Sequence, residues 1–372
     1  MWNVTEAALE ALAIGAGILG TGGGGNPYIG KLEARQQLRM GRAIQVVSVD
    51  EVPDDALITG VGGMGAPIVS NERVHRGDEP LAAMRALERH LGRQFTHVIP
   101  GEIGGSNSMT PMVVAAQAGL PVIDGDGMGR AFPELQMDTF TIYGVTPTPG
   151  ALADPRGHLA IFDKVSDPAA FERYARAVTI QMGGSTGYAF PPMTSEEVRR
   201  TTVRDTVTLA IALGEAVLRA RAGHVNPVDA ALRVTGGQRL FHGQIVDVER
   251  RLVGGFARGV LQLDGSGPDA GATLRIDFQN ENLIARTGDG EILAVVPDLI
   301  CIVDQDTAEP VTTEILRYGL RVVVVGIPAP AMLKTPEALP VIGPAAFGYP
   351  DVPFHPLPGV YGSGLAKRAA AV

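Results

Sequence analysis

The sequence predicts an α/β protein, in which an N-terminal layered α/β domain with a mostly parallel sheet precedes a C-terminal β-rich domain of the α+β type. Apolar runs at residues 96–99 and 120–123 are short and continuous, which is typical of parallel strands buried on both faces. Helical patterns separate such runs in the first half of the chain. Beyond Asn226 the pattern changes to short strands at even spacing, separated by glycine or acid turns. For a chain of 372 residues we expect two domains, at residues 1–166 and 167–372.

The N-terminal elements begin with two helices that flank a glycine-rich loop. Asn3 followed by Glu6 is a capping-box pattern, and it predicts a helix that ends at Gly20. Pro27 is typical of a first helical position and predicts a second helix as far as Gly41. The other predicted strands of this half are residues 43–49, 56–61, 139–145 and 158–165, and the other predicted helices are residues 79–91 and 108–118.

The C-terminal half starts with helices and continues with strands. A helix is predicted over residues 171–180, and Thr194 with Glu197 forms a second capping-box pattern. Residues 198–221 are predicted to form one long helix, whose apolar positions dock against the first domain or a partner subunit. The predicted strands that follow are residues 239–247, 259–263, 272–278, 283–286, 291–296 and 322–325. The last of these could extend the first sheet, and the Pro- and Gly-rich segment after it is predicted to wrap around the protein.

Composition and charge exclude several classes of function. A net charge of −9 and a pI near 5.3 argue against nucleic-acid binding, which requires a basic surface. The single cysteine, Cys301, lies in an apolar run, so a disulfide framework and a Cys-zinc site are excluded. The chain has no long apolar run and no basic N-terminal segment before one, so we expect no membrane association and a cytoplasmic protein.

The loop between the first two helices contains Gly23, Gly24, Gly25 and Asn26. Exposed backbone N–H groups in such a loop can bind a phosphate or a carboxylate. The dinucleotide-binding fingerprint requires a strand before the glycines, however, and here a helix precedes them. The pattern therefore favours a cradle for a substrate carboxylate, or close helix packing, over a nucleotide site.

Acidic, glycine and amide residues follow both of the central buried strands. The candidates in these two loops are Glu102, Gly104, Gly105, Asn107, Asp124, Asp126 and Arg130. Ligands of open α/β sheets bind beyond the carboxyl ends of the strands, so we expect Glu102, Asp124 and Asp126 to converge in one crevice. Grouped carboxylates either bind a divalent metal ion, which is the candidate cofactor, or exchange protons. The same residue types also form ordinary turns and helix caps, and this alternative stays open.

A segment of the second half could also reach the crevice. Asn280 and Glu281 lie at a strand junction, where they either contact substrate or form an Asx-rich turn. His242 can act as an acid or base near neutral pH, although a half-exposed strand residue is the simpler interpretation. No HxH or HExxH pattern occurs, so a histidine-rich zinc site has no local support.

Six strings of the sequence together resemble one bacterial family: GTGGGGNP, GEIGGSNS, DGDGMGRAFPELQM, GGFARG, FQNENL and EILRYGLRV. That family, formerly of unknown function, is described through its S-methyl-thiohydantoin desulfurase members and is associated with hydantoinases. The resemblance extends over residues 6–354, and DGDGMGRAFPELQM is its most specific string. It implies a hydrolase of a small five-membered cyclic imide or thiohydantoin ring, in which water adds to the ring carbon that carries the S-methyl group.

Within the family-like strings we assign roles as a hypothesis. Glu102 or Asp126 is the general base or a metal ligand, and Asp124 orients it. Arg130 and Asn107 grip polar atoms of the substrate, and the glycine loop contacts an anionic side arm. The complete set of substrate-binding candidates is Gly23, Gly24, Gly25, Asn26, Gly104, Gly105, Asn107, Arg130, Asn280 and Glu281.

Two other functions stay open at this point. The protein could be a non-catalytic partner subunit of a hydantoinase/oxoprolinase-type complex, or a nucleotide-dependent enzyme that uses the GTGGGG loop. Its expected partners are a small-molecule substrate and further copies of the chain, since homo-oligomers are frequent and the long helix is apolar. A hydantoinase-type partner is a further possibility.

Overall fold

The N-terminal core is a mixed eight-stranded sheet in the computed structural model, which describes residues 1–65, 69 and 76–365. The described strands up to residue 204 are β1 (Trp2–Asn3), β2 (Gln45–Val47), β3 (Leu57–Gly65), β4 (His97–Pro100), β5 (Val122–Ile123), β6 (Gly125–Asp126), β7 (Gly150–Ala153), β8 (Leu159–Phe162), β9 (Ser185–Thr194) and β10 (Val203–Arg204). The sheet has the order β1-β2-β5-β4-β3-β9-β7-β8, while β6 pairs with β10 separately.

The centre of the sheet is parallel. Strands β2, β5, β4 and β3 pair in parallel, and the flanking strands β1, β9, β7 and β8 are added antiparallel. The runs predicted at residues 96–99 and 120–123 are β4 and β5, which are neighbours. Their carboxyl ends therefore open at one edge of the sheet, and the predicted α/β class is confirmed.

Ten helices occur in the described residues. They are α1 (Glu6–Leu19), α2 (Tyr28–Arg39), α3 (Glu79–Leu91), α4 (Thr110–Ala118), α5 (Thr139–Ile142), α6 (Pro168–Gln181), α7 (Ser195–Thr201), α8 (Thr206–Ala222), α9 (Pro227–Thr235) and α10 (Leu339–Ile342). Short 3-10 turns connect several of them, including Gly105–Ser108 before α4.

Helices α1 and α8 cross at two glycines. A Cβ atom on Gly15 would lie 2.6 Å from the carbonyl carbon of Ala210, and one on Gly214 would lie 2.5 Å from that of Ala11. Any side chain at either position would force the helices apart. Helix α8 is thereby docked against the first part of the chain, which is one of the two arrangements that its apolar positions predicted.

The capping box predicted at Asn3 is wrong. Asn3 belongs to β1 and pairs with β2, so its backbone is already part of a sheet. Helix α1 is instead capped by Thr5, whose Oγ1 accepts a hydrogen bond from Ala8 N at 3.1 Å. The capping box predicted for Thr194 and Glu197 is confirmed at the start of α7.

Two longer predictions are wrong because a cap or a strand pair interrupts the pattern. Residues 139–145 contain helix α5 in place of a strand, and the Asp138 carboxylate caps it by accepting a first-turn backbone hydrogen bond of 2.6 Å. The helix predicted over residues 198–221 divides into α7 and α8, because Val203 pairs with Asp126 in the small sheet between them. The other predicted helices and strands are present, with ends that differ by a few residues.

The C-terminal part is a seven-stranded antiparallel sheet that curves into a half-barrel, in the order β15-β14-β13-β12-β11-β17-β16. Asn282 Nδ2 in β14 donates a hydrogen bond to Ile300 O in β16 at 2.9 Å, which draws the two ends of the sheet together. Residues 322–325 lie in β17 and pair with β11 and β16, so they do not extend the first sheet. The strands are β11 (Gln238–Val253), β12 (Phe256–Gly265), β13 (Thr273–Gln279), β14 (Glu281–Thr287), β15 (Ile292–Val295), β16 (Leu299–Asp304) and β17 (Arg321–Ile327).

The segment after β17 returns to the loops of the first sheet. Tyr143 Oη donates a hydrogen bond to Met332 O at 2.6 Å, and Tyr361 Oη donates one to Gly129 O at 2.7 Å. Strand β9 also lies in the first sheet, although it follows residue 166 in the chain. The two parts are therefore interlocked, and a division into domains at that residue stays a prediction.

Cys301 is a free, buried thiol in β16, as its apolar run predicted, and burial raises its pKa to about 12. Within the described part of the chain, no helix has the length and apolar character needed to cross a membrane.

Candidate functional site

A cavity of about 230 Å³ lies where the two parts of the chain meet. Its walls come from the carboxyl ends of β3 and β4, the loop between α1 and α2, strand β9, and the turn between β13 and β14. The predicted site residues that line it are Gly24, Gly25, Asn26, Glu102, Asn107, Asn280 and Glu281. The cavity therefore lies beyond the carboxyl ends of β3 and β4, where a crevice was expected, and residues of the β-rich part also line it.

Glu102 follows β4 and is buried in the wall of this cavity, with 7% of its surface exposed. Its Oε1 accepts a hydrogen bond from Asn107 Nδ2 at 2.7 Å. Its Oε2 is buried and accepts no hydrogen bond from any residue that the structure describes. Burial raises the pKa of Glu102 to about 8, and the Asn107 hydrogen bond and the Arg130 charge offset only part of this rise.

Asn107 is held in one orientation by the end of β3. Its Oδ1 accepts a hydrogen bond from Gly63 N at 2.7 Å, and its Nδ2 donates to Gly63 O at 3.1 Å. These two bonds fix which end of the amide faces Glu102, because only Nδ2 can donate to a carboxylate oxygen. The end of β3 and the loop after β4 thus together orient the Glu102 carboxyl.

Glu281 enters the same cavity from the β-rich part of the chain. It is the first residue of β14 and follows Asn280, whose φ of 55° makes the tight turn out of β13. Glu281 Oε1 accepts a hydrogen bond from Gly24 N at 3.2 Å, whereas Oε2 is buried without a partner among the described residues. Burial and the nearby Glu102 raise the pKa of Glu281 well above its ordinary value, and Arg130 opposes that rise.

The two glycine-rich loops pack back to back beside these carboxyls. A Cβ atom on Gly24 would lie 2.9 Å from the carbonyl carbon of Gly104, and Gly105 would collide with Gly24 in the same way. Ser106 N and Oγ both donate to Gly24 O, at 2.8 and 2.9 Å. Asn26 Oδ1 accepts from Tyr28 N at 2.9 Å at the start of α2. Close packing, one of the alternatives for these glycines, is therefore present.

The carboxylate that the glycine loop binds belongs to the protein itself. The backbone N–H of Gly24, which was predicted to be available to a ligand, donates to Glu281. The loop follows helix α1 and no strand, as the sequence indicated, so it does not have the context of a dinucleotide-binding turn.

Arg130 does not line the cavity and is fully buried between several segments. Its guanidinium donates to the carbonyls of Ala131, Pro297 and Asp298 at 2.8 to 3.0 Å, and to Thr21 Oγ1 at 2.9 Å. These bonds occupy the donors that were predicted to grip substrate. The charge of Arg130 nevertheless acts on both Glu102 and Glu281, so it stabilises a negative charge in the cavity wall.

Asp124 lies outside the cavity and caps a helix. Its Oδ1 accepts a hydrogen bond from Thr208 N at 3.0 Å, and its Oδ2 accepts one from Thr208 Oγ1. Both carboxylate oxygens are thus used in the first turn of α8. Burial is the main cause of the raised pKa of Asp124.

Asp126 also lies outside the cavity, at the junction of the two central loops. Its Oδ2 accepts hydrogen bonds from Ile103 N at 2.8 Å and from Met128 N at 3.0 Å, and Gly129 N donates to both oxygens. Burial raises the pKa of Asp126 to about 7, while these backbone donors lower it. Asp126 therefore joins the loop after β4 to the loop after β6.

The predicted convergence of three carboxylates is wrong, because Asp124 turns its oxygens toward Thr208 and Asp126 turns its oxygens toward backbone N–H groups. Of the three, Glu102 alone lines the cavity, and its neighbour there is Glu281. Across residues 1–65, 69 and 76–365, no group of three His, Cys, Asp or Glu side chains is arranged to hold a metal ion. The donor set that was proposed for a divalent cation does not fit one.

Tyr188 is a cavity residue that the sequence did not indicate. It lies in β9, and its ring occupies the space beside two glycines at the ends of β3 and β4. A Cβ atom on Gly101 would lie 2.5 Å from Tyr188 Oη, and one on Gly62 would lie 2.5 Å from Tyr188 Cζ. Burial and the Glu102 charge raise the pKa of the Tyr188 hydroxyl, which stays neutral and can donate a hydrogen bond.

His242 does not line the cavity. Its Nδ1 and backbone N contact the Asp269 carboxylate at 3.1 and 2.8 Å, next to a turn of the half-barrel. The interpretation of His242 as a half-exposed strand residue is the one that agrees with its position in β11.

The fold and the cavity together define an α/β protein with an antiparallel half-barrel and a cavity lined by two buried glutamates. The chain belongs to the S-Me-THD-like family: residues 7–164 match its N-terminal domain and residues 166–357 match its C-terminal domain. A protein of Chromobacterium violaceum, solved by X-ray crystallography in a structural genomics programme, is similar over 96% of this chain and 100% of its own. It is 27% identical in sequence, with a TM-score of 0.79. No curated protein matches the chain.

Proposed function

We propose that the protein is a hydrolase of a small five-membered thiohydantoin or cyclic imide ring, and that its reaction is the S-methyl-thiohydantoin desulfurase type. The family description supports this substrate class. The volume of the cavity, about 230 Å³, is below the roughly 300–1,000 Å³ of pockets for drug-sized ligands and suits a single substituted ring.

The proposal rests on the burial and hydrogen bonding of the Glu102 carboxyl. A buried carboxyl with one anchored and one unpartnered oxygen, in the wall of a cavity, is arranged to exchange a proton with a bound molecule. Its pKa of about 8 makes it a stronger base than an ordinary glutamate once it is ionised. A general base near neutral pH is what activation of water requires.

In the proposed reaction, Glu102 Oε2 accepts a proton from water while the water oxygen bonds to the ring carbon that carries sulfur. The C=N electrons pass to the ring nitrogen, which takes the proton back from Glu102. Collapse of the tetrahedral intermediate then breaks the C–S bond and forms a ring carbonyl, while the hydroxyl proton of the intermediate is lost and the departing sulfur gains a proton. The products are the hydantoin and methanethiol, one of each for every water consumed.

The test is hydrolysis of an S-methyl-thiohydantoin by the purified protein, followed by a thiol reagent for methanethiol and by mass spectrometry for the hydantoin. Equal amounts of the two products are expected. Glu102→Gln should reduce kcat/KM by about 10²–10⁴-fold, the range for loss of a general base. Glu134→Gln is the matched control, because Glu134 lines the cavity but its carboxylate pairs with Gln136. Absence of thiol release by the folded wild-type protein would overturn the proposal.

A further inference from the structure

We propose that Glu281 is a second catalytic residue of this site, which donates a proton to the departing sulfur while Glu102 serves the attacking water. The inference rests on the proposed function and identifies the group that protonates the leaving sulfur. An alkyl thiolate is basic enough to be protonated near neutral pH, so its departure can be assisted by a proton donor. In the proposed reaction Glu102 gives its proton to the ring nitrogen, so protonation of the sulfur falls to a second group.

The position of Glu281 is the first support. Its residue surface is 2% exposed, it lines the same cavity as Glu102, and its Oε2 has no hydrogen-bond partner in the described residues. An unpaired buried carboxyl oxygen is costly, and a bound substrate or a carried proton relieves that cost. The oxygen therefore has the environment of a proton donor whose acceptor arrives with the ligand.

The way in which Glu281 is held is the second support. The Gly24 N–H fixes Oε1, and the turn at Asn280 fixes the backbone: Asn280 Oδ1 accepts from Ala257 N at 2.9 Å and Asn280 O accepts from Thr313 Oγ1 at 2.8 Å. Gly23 leaves room for the carboxyl, because a Cβ atom there would lie 2.5 Å from Glu281 Cδ. Several separate parts of the fold thus hold the Glu281 side chain in one position, as is typical of a functional residue that must be precisely oriented.

The charges of the pair give the two carboxyls different roles. Glu102 accepts the Asn107 amide hydrogen bond, which favours its ionised form, whereas the charge of Arg130 acts on both carboxyls. Glu281 feels the Glu102 charge and has a pKa well above its ordinary value, so it holds a proton when Glu102 is ionised. Two neighbouring carboxyls whose environments differ in this way divide acid and base roles between them.

The proton balance closes with both residues returned to their starting state. Glu102 takes one proton from water and gives it to the ring nitrogen. Glu281 gives its proton to sulfur as the C–S bond breaks, and its carboxylate then takes the hydroxyl proton of the intermediate as the carbonyl forms. No oxidant, reductant or further reactant is involved.

The experiment compares two leaving groups, S-methyl and S-trifluoroethyl, on the same thiohydantoin ring. Trifluoroethanethiol is the stronger acid and departs as thiolate without help. Glu281→Gln, which keeps the size of the side chain, should reduce kcat by about 10²–10³-fold for S-methyl but less than about tenfold for S-trifluoroethyl. Glu102→Gln should reduce both rates by similar factors, because attack of water is common to them.

Equal losses for the two substrates in Glu281→Gln, with circular dichroism unchanged, would overturn the inference and leave a structural role. The wild-type protein gives an independent test, since assisted departure predicts turnover of the two substrates within about threefold. A strong wild-type preference for S-trifluoroethyl would contradict proton donation. Failure of the proposed function looks different, because the wild-type protein would then release neither thiol.

Discussion

Gly23 lies where the Glu281 carboxyl needs space: a Cβ atom at Gly23 would be 2.5 Å from Glu281 Cδ and closer still to Oε1. The two residues are far apart in the chain and belong to different parts of the fold. Gly23 is in the loop after α1, whereas Glu281 begins β14 of the half-barrel. The glycine loop and the half-barrel therefore fit together around one carboxyl, which joins the two walls of the cavity.

The first prediction concerns this fit. Gly23→Ala should displace Glu281, reduce kcat on the S-methyl substrate by about tenfold or more, and cost about 1–3 kcal/mol of stability through overpacking. Gly23 has no left-handed φ, so the alanine is opposed by the carboxyl and not by the backbone. Kinetics and urea unfolding measure the two effects.

Gly63→Ala is the matched control for that variant, because a Cβ atom there meets Asn107 Oδ1 at an ordinary 3.6 Å in the same cavity. In a double-mutant cycle, Gly23→Ala should cost less when Glu281 is already alanine. Additive costs would show that Gly23 and Glu281 do not interact in this way.

The second prediction concerns the pH dependence of turnover. A base with a pKa of about 8 is protonated at lower pH, so kcat/KM should rise with pH and level off above about 8. Asn107→Ala removes the amide hydrogen bond that lowers the pKa of Glu102, so its rising limb should move to higher pH. Ser106→Ala should leave the limb in place, because Ser106 Oγ contacts Gly24 O and not Glu102. A limb at the same pH in Asn107→Ala would contradict the assignment of that limb to Glu102.

The third prediction concerns stability. Because the pKa of Glu102 is raised in the folded protein, stability should fall as pH rises, whereas activity should rise. The folded protein holds this proton up to about pH 8, whereas an unfolded glutamate loses it near pH 4.5. Stability that Glu102 contributes below pH 4.5 is therefore lost as pH rises to about 8. Glu102→Gln does not titrate, so its stability relative to wild type should increase over this interval, by at most about 5 kcal/mol. A difference that stays constant from pH 4.5 to 8, in urea unfolding, would show that Glu102 keeps an ordinary pKa.

The location of the cavity could be predicted from the sequence because it depends on a local rule. Strands β4 and β5 are neighbouring and parallel, so the loops after them share one edge of the sheet. Glu102 and Asn107 are five residues apart in one of these loops, and their contact follows from that proximity. The family resemblance is likewise confirmed, because it depends on residue strings and not on packing.

The role of each acid could not be predicted, because it depends on contacts distant in the chain. Asp124 and Glu102 both follow a buried strand among glycines, yet Asp124 caps a helix 84 residues away at Thr208. Tyr188 reaches the cavity because β9 pairs antiparallel with β3, a pairing that no turn signal links. Glu281 depends on the docking of a whole half-barrel against the glycine loop.

The fourth prediction separates a helix cap from a catalytic carboxylate. Asp124→Ala removes both hydrogen bonds to Thr208, so the protein should lose about 1–3 kcal/mol of stability in urea unfolding. Thr208→Val removes only the hydroxyl donor and should lose a smaller part of the same stability. Because neither residue lines the cavity, kcat/KM of the folded Asp124→Ala protein should stay within about threefold of wild type, in contrast to the roughly 10²–10⁴-fold loss expected for Glu102→Gln. A loss of that size in stably folded Asp124→Ala would show that Asp124 takes part in catalysis and would contradict the division of roles between the three acids.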